Sequence, residues 1–472
     1  MKTSPAILLP TALAVALLLG GCAAVGPEHR RPAVATGEGW SRPADAALDA
    51  ALLARWWTVF GDTEQERLIE QALLKNHDLA TAAANIAAAR AALARADAAG
   101  QPAVTGRAGV ERRRLSLNSP EYNPQRAASQ TVADLGVDAS WELDLFGSLQ
   151  RQREAAAASL AASESERVLL RIGVAAEVVR LYQELRGAQR ERAARQALVA
   201  AAERALELVS LRQRAGEAAA SERDRAEARV ALARAALPAL DARIEGAALA
   251  LGQLAGGLPE SELGLAASPA TAEPQLAPIP LGQRADLLRR RPDVIAVEQR
   301  LAAATAQIGI ATAELFPKLS LGLGGGLRAL ALGDLAEADS RRASVLPLIS
   351  WRLFDGGRIR AEIHAAEARQ LAAALQYEQA VLAALGDAER SLVQYQHGLQ
   401  ALAAQRQALQ AVEQAAAAVR LRVSLGDASE LEWTEARAEM ADAQLRLQQA
   451  SSAAVASLVA LYKSLGGGWA AG

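Results

Sequence analysis

The stretch DLGVDASWELDLFG, beginning at Asp134, constrains this chain more than any other. Leu135, Val137, Ala139, Trp141, Leu143 and Leu145 are apolar, and the residues alternating with them (Asp134, Gly136, Asp138, Ser140, Glu142, Asp144) are polar or glycine. Period-two alternation of this length predicts a β-strand with one apolar and one wetted face. After Gly147 the pattern switches to RQREAAAASLAASESERVLL, an alanine-rich helical run of about sixty residues. The same strand-into-helix passage recurs roughly 210 residues later as ISWRLFDGGRIRAEIHAAEAR, from Ile349. Trp141 corresponds to Trp351 and Gly147 to Gly357, so the chain is an internal duplication. Its function must come from what two such units build.

Composition narrows the choice. The chain has 472 residues, only 3% aromatics, abundant alanine and a formal net charge of −2. So few large side chains cannot fill a wide globular core, but they suit helices that approach closely across small residues. Near-neutral charge without a basic stripe argues against a nucleic-acid partner.

The single cysteine, Cys22, excludes an intramolecular disulfide and any CxxC metal or redox site. Lys2 followed by an apolar run from Ala6 to Leu19 reads as a signal peptide over residues 1–21, since the run is short for a membrane span. Leu19-Gly20-Gly21-Cys22 is similar to a bacterial lipobox, which predicts S-diacylglycerol and an N-acyl group on Cys22. An ordinary signal peptide with an incidental cysteine is the alternative. Ala23 follows, not aspartate, which favours delivery to the outer membrane.

Residues 22–60 read as a lipidated N-terminal arm containing VGPEHRRP and WWTVFGD. The first repeat, 61–256, has a helix over about Glu64–Ala99, strands over about 103–113 and 132–146, and a helical hairpin over about 148–252. That hairpin runs from Ser148 to Arg214, turns at Gly216 and returns over Ser221–Gly252 as one helix. The proline-rich segment 257–283 keeps neither period and connects the repeats. The second repeat, 284–472, has a helix up to Pro317, strands over about 317–327 and 344–355, and a hairpin over about 358–465 turning at Gly426. The long helices, at 1.5 Å per residue, reach on the order of 100 Å.

Four strands with an apolar face do not close a membrane barrel, because outer-membrane barrels have at least eight. An open sheet would leave edge hydrogen-bonding groups in hydrocarbon. The strands must therefore close with other copies of the chain: two give eight, three give twelve. The competing reading is a soluble set of β-sandwich hairpins.

The ordered set of signal, lipobox, VGPEHRRP, WWTVFGD, SWELDLFG, RRPDV with AELFP, SWRLFDGG and ALYKSLGGGW resembles TolC-type outer-membrane efflux proteins, in particular the OprM-like, nodulation-protein-T-type lipoproteins. The resemblance covers Leu19 to Trp469. It implies a mainly α-helical fold with a membrane β-barrel: a homotrimer forming a twelve-stranded outer-membrane barrel and a twelve-helix periplasmic tunnel. It also implies a passive exit duct for drugs or other small molecules, with a periplasmic membrane-fusion adaptor and an inner-membrane pump of the resistance-nodulation-division class as partners. Trp141 and Trp351 fall where aromatic girdle residues sit at the membrane interface.

Superposing the repeats aligns Arg212 with Arg422, Gly216 with Gly426 and Glu222 with Glu432. The resemblance makes these the tips that adaptors grip. It also places periplasmic gate carboxylates at Glu432 and Glu435, where the family commonly has aspartates. Six carboxylates in a trimer would attract cations; taken without the resemblance, two glutamates three apart are a solvated helix face. On the strands, Asp134, Asp138, Glu142 and Asp144 outnumber Arg107 and Lys318, which predicts a mild cation preference.

Catalysis has little support: His29, His77, His364 and His397 are scattered, and no catalytic or nucleotide-binding motif is present. The run LGLGGG from Leu321 lies in an alternating strand and no helix follows it directly, so it is read as barrel glycine, not a phosphate loop. Beyond Met1 only Met440 remains, which argues against a methionine relay for copper or silver. No cofactor or metal is expected. A periplasmic coiled-coil adaptor and a structural envelope lipoprotein are the alternatives. The first lacks a reason for two hairpins and four membrane-type strands, and the second a reason for alanine-dense helices.

Overall fold

The computed structural model describes residues 24–37, 39–41, 50–120, 122–125, 127–270 and 272–469. The expected signal peptide and the lipidation site Cys22 lie outside these residues. The labelled elements are α1 (Thr63–Lys75), α2 (His77–Ala99), β1 (Ala103–Arg114), β2 (Ser129–Leu143), α3 (Ser148–Arg214), α4 (Ala220–Ala235) and α5 (Leu237–Leu254). They continue with α6 (Pro292–Ala313), β3 (Lys318–Ala329), β4 (Arg341–Ser350), α7 (Arg358–Ser424) and α8 (Glu430–Ser464).

Several boundaries differ from the sequence reading. The helix expected over Glu64–Ala99 is two, because Asn76 turns extended (φ −62°, ψ 128°) and its Oδ1 accepts from the N–H groups of Asp78 and Leu79. The expected single return helix of the first hairpin also divides, at Ala236, where Pro238 enters the first turn of α5 and removes a backbone donor. Strand β2 stops at Leu143, not near 146, and β4 stops at Ser350, so Trp351 lies just beyond it. Acidic caps explain both early stops. Asp144 accepts from Gln150 N–H at the start of α3, and Asp355 accepts from Gly357 and Ile359 N–H at the start of α7.

The described residues fall into two compact units. The first comprises 24–33, 85–163 and 296–377. It contains one antiparallel sheet in the order β1-β2-β3-β4. The ladder sets Asp134 opposite Gly109 and Arg328, and Val137 opposite Gly106 and Gly325. One face therefore carries Val104, Val110, Leu135, Val137, Leu321, Leu323, Val345 and Ile349, and the other carries the charged residues. Val104, Val137, Val345 and Ile349 are all more than half exposed. A face this apolar and uncovered requires an apolar environment or a partner.

The arm after Ala24 is fastened to this unit. Val25 N–H donates to Phe146 O, Arg151 Nε donates to Val25 O, and Arg31 bonds Tyr377 Oη at 3.0 Å and pairs with Glu298 at 3.3 Å. Gly26 (φ 89°) meets Gly309 so closely that neither position has room for a Cβ. Phe146 stacks on Phe316 at 4.6 Å, joining the two repeats where strands give way to helices.

The second unit comprises 34–84, 164–295 and 378–469. Here the alanine-dense helices α3, α7 and α8 approach closely: a Cβ on Gly398 would stand 3.3 Å from Ala454 Cα. Four aromatics cluster in this unit, with Trp56 stacked on Tyr462 at 5.0 Å and edge-on to Trp57 and Phe60. Tyr182 is fully buried and donates to both carboxylate oxygens of Asp62, the residue that caps α1. The segment 257–283 is held by side chains of the long helices. Gln189 donates to the carbonyls of Leu265, Ala266 and Ser268, and Tyr395 donates to Ala277 O.

Candidate functional site

Both hairpin tips are built to one plan. Gly216 and Gly426 take φ of 80° and 82°, a conformation glycine adopts without steric cost. Each closes a Schellman turn: Gly216 N–H bonds Gln213 O and Glu217 N–H bonds Arg212 O, while Gly426 and Asp427 do the same with Val423 and Arg422. Arg212 and Arg422 then reach over the turn with their guanidinium groups to the carbonyls of Glu217 and Asp427.

The tips differ in how the return helix begins. Ser429 and Glu432 form a capping box, each side chain meeting the other's backbone N–H at 3.2 Å. At the matching place Glu222 reaches Ala219 N–H at 3.4 Å, but alanine has no oxygen to return the bond, so that box is half complete. Glu432 also lies 3.6 Å from Arg422. Among the described residues no ion pair joins Arg212 to Glu222. Glu435 is exposed one turn further on, and Arg420 sits 5.6 Å over the Trp433 ring.

The polar face of the sheet carries a network that the sequence reading only partly found. Arg107 pairs with Asp138 and, at 3.7 Å, with Asp134; Asp134 also receives Arg328 at 2.7 Å and Arg342 at 3.1 Å. Gly136 and Gly324 make room for this. An added Cβ on Gly136 would meet Arg342 at 3.0 Å, and one on Gly324 would meet Asp138 at 3.0 Å. The register puts Glu111, Asp134, Asp138 and Glu142 on this face against Arg107, Arg113, Lys318, Arg328 and Arg342. The strand basis for a cation preference is therefore overturned, and Asp144 is a helix cap, not part of the face. Arg328 was legible as an alternate position in phase with Lys318, and Arg342 as one out of phase with Val345 and Ile349 on the next strand.

Trp141 and Trp351 occupy equivalent places. Each indole N–H donates to a carbonyl at the end of the preceding helix, Gly100 O at 3.0 Å and Leu315 O at 2.9 Å. Among the described residues no helix is long and apolar enough to cross a membrane, and no group of three or more His, Cys, Asp or Glu side chains is placed to hold a metal. A four-stranded sheet with an uncovered apolar face, continuous along the chain with two long helical hairpins, defines a class: channels whose barrel is closed by several chains.

Comparison with known proteins agrees. The family model described as outer membrane efflux protein matches residues 68–257 and 284–467, and the chain belongs to that family. The pyoverdine export outer membrane protein OpmQ of Pseudomonas putida is 33% identical, with 93% of each chain covered. The outer membrane protein OprJ of Pseudomonas aeruginosa is 31% identical over 97% of this chain and 95% of its own. Among solved structures, the outer-membrane channel OprN superposes with a TM-score of 0.85 at 34% identity, over 95% of this chain and all of that one. The MtrE outer membrane channel of Neisseria gonorrhoeae, described in its open state, superposes with a TM-score of 0.82 at 27% identity, over 95% and 99%. The protein is an outer-membrane efflux channel, and its role is transport.

Proposed function

We propose that three copies close a twelve-stranded barrel and a twelve-helix tunnel, forming the exit duct of a tripartite system driven by an inner-membrane pump of the resistance-nodulation-division class through a periplasmic adaptor. The observation that carries this reading is the uncovered apolar face of a sheet too small to close alone, continuous in each repeat with a 67-residue helix. The duct is passive: the chain supplies a water-filled path and the pump supplies the energy.

The matched turns at Gly216 and Gly426, with Arg212 and Arg422 folded over them and Glu222 at the first return helix, are the surface offered to the adaptor. Glu432 and Glu435 form the periplasmic gate, with unequal parts. Glu432 is bound to its own tip through Ser429 and Arg422, while Glu435 presents the exposed carboxylate. Cys22 carries the lipid anchor. It is two residues from Ala24, which packs against Gly147 at the junction of strand and helix, a placement suited to a lipidated terminus. Trp141 and Trp351 mark the membrane interface at that same junction.

The test is single-channel conductance of the purified full chain in planar bilayers, beside Glu432→Ala/Glu435→Ala. Small openings that widen markedly in the variant are expected. Unchanged conductance would move the gate elsewhere, and folded protein with no conductance from either form would count against an unaided duct.

A further inference from the structure

The outer end of the sheet carries arginines on both faces, and the two sets differ. On the polar face Arg107, Arg328 and Arg342 all pair with Asp134 or Asp138. On the apolar face the alternation that places Val104, Gly106, Ala108 and Val110 ends in Arg112 and Arg114. On β4 the same face begins with Arg341, opposite Leu327, ahead of Ala343, Val345, Pro347 and Ile349. Arg112, Arg114 and Arg341 are exposed, and none has an ion pair among the described residues. Glu111 alternates to the other face. The exposed Asp334, Glu337 and Asp339 of the β3–β4 loop make no ion pair with these arginines.

These three residues stand at the rim of the apolar band, at the strand ends away from the helices. In register, Arg341 lies level with Leu327, Leu135 and Ala108, and β1 runs on beyond Ala108 to Arg114. Such stagger is what strands tilted by about 35–45° in a barrel require for each to end at one rim. β1 and β4 are also the two sheet edges, which face each other across the seam between adjacent copies when the barrel closes.

We propose that Arg112, Arg114 and Arg341 form a rim that binds the phosphate groups of anionic lipid in the outer leaflet. This inference rests on the barrel reading above. Guanidinium groups match phosphate bidentately, and cations bordering a hydrocarbon band meet headgroups rather than bulk water. Unpaired arginines there would otherwise be an uncompensated cluster of like charge. On the opposite face three of the four arginines, Arg107, Arg328 and Arg342, are neutralised within the sheet, whereas among the described residues none of the three at the apolar rim is.

The test is native mass spectrometry of the full-chain protein in detergent, titrated with bis-phosphorylated lipid A and, separately, with its dephosphorylated form. Wild type is expected to retain the phosphorylated lipid, and Arg112→Gln/Arg114→Gln/Arg341→Gln to weaken it by roughly fivefold per arginine, on the order of a hundredfold in all. Both proteins should bind the dephosphorylated lipid equally. Arg113→Gln removes a neighbouring charge from the other face and should leave retention unchanged. Equal retention by wild type and triple variant, or an equal loss in Arg113→Gln, overturns the proposal. Should the triple variant misfold, wild type binding both lipids alike overturns it without any variant. Protein that conducts in bilayers but shows no phosphate preference would sink the rim alone, whereas protein that fails to insert would sink the barrel reading as well.

Discussion

Arg422 and Glu432 meet at 3.6 Å across the second hairpin tip, and the same glutamate closes the capping box with Ser429. Both side chains are about half exposed, so the pair itself contributes no more than about 1 kcal/mol. Its importance is geometric, because it ties the last turn of α7 to the first turn of α8. The first hairpin, with Ala219 in place of serine, lacks the full tie. Glu432→Ala is therefore expected to raise single-channel conductance, while Glu222→Ala leaves it near wild type. Equal responses from the two variants would remove the proposed asymmetry.

Gly216→Asp and Gly426→Asp each place a Cβ at φ near 80°, costing on the order of 1–2 kcal/mol and disturbing the Schellman turn. Nothing lies within 4 Å of a Cβ built at either glycine, so the fold should survive and the change should be local to the tip. Site-specific crosslinking to an adaptor and drug resistance in cells are expected to fall with outer-membrane protein levels unchanged. Crosslinking at wild-type yield would place the docking surface elsewhere.

Alkaline pH should weaken the helical unit. Burial pushes the Tyr182 phenol up to about 12, and burial also raises Tyr395 and Tyr462. A phenol whose folded value is raised stabilises the fold fully below its unfolded value of about 10, and that contribution is lost as pH climbs through the folded value. Thermal melts should therefore fall in temperature from pH about 10 towards 12, with a smaller fall in Tyr182→Phe. An identical profile in that variant would acquit Tyr182.

Asp62 serves the same contact from the other side. Asp62→Ala removes an N-cap worth about 1 kcal/mol and strands a buried hydroxyl at about 1–3 kcal/mol more. Denaturant unfolding should register a loss of this size. Asp62→Asn, which keeps an acceptor, should lose less.

The strand face predicts selectivity. Because Arg328 and Arg342 neutralise Asp134, Arg328→Ala/Arg342→Ala is expected to shift reversal potentials in a salt gradient towards cations relative to wild type. No shift would mean that ions are chosen elsewhere along the duct.

Much of this was legible in residue order. Alternation located all four strands within a few residues, and the matched glycines 216 and 426 located both hairpin turns. Apart from the split at Ala236, which Pro238 makes, the misplaced boundaries have a common cause. Asn76, Asp144 and Asp355 stop or start elements through side-chain bonds to backbone N–H groups that periodicity does not register. Asp144 in particular continued the alternation and yet belongs to a helix.

The sequence by itself determined the duplication and the strand faces, because these depend on periods of two and 3.6 that survive in any context, while its ordered motifs carried the resemblance to the family. Only the tertiary structure decided which charges remain available. Asp134 is spent on three arginines drawn from three strands, and Glu432 on a serine and an arginine from the opposite side of a turn. Charge compensation is a matter of distance through space, and residues separated by some two hundred positions become partners only when the chain brings them within a few ångströms.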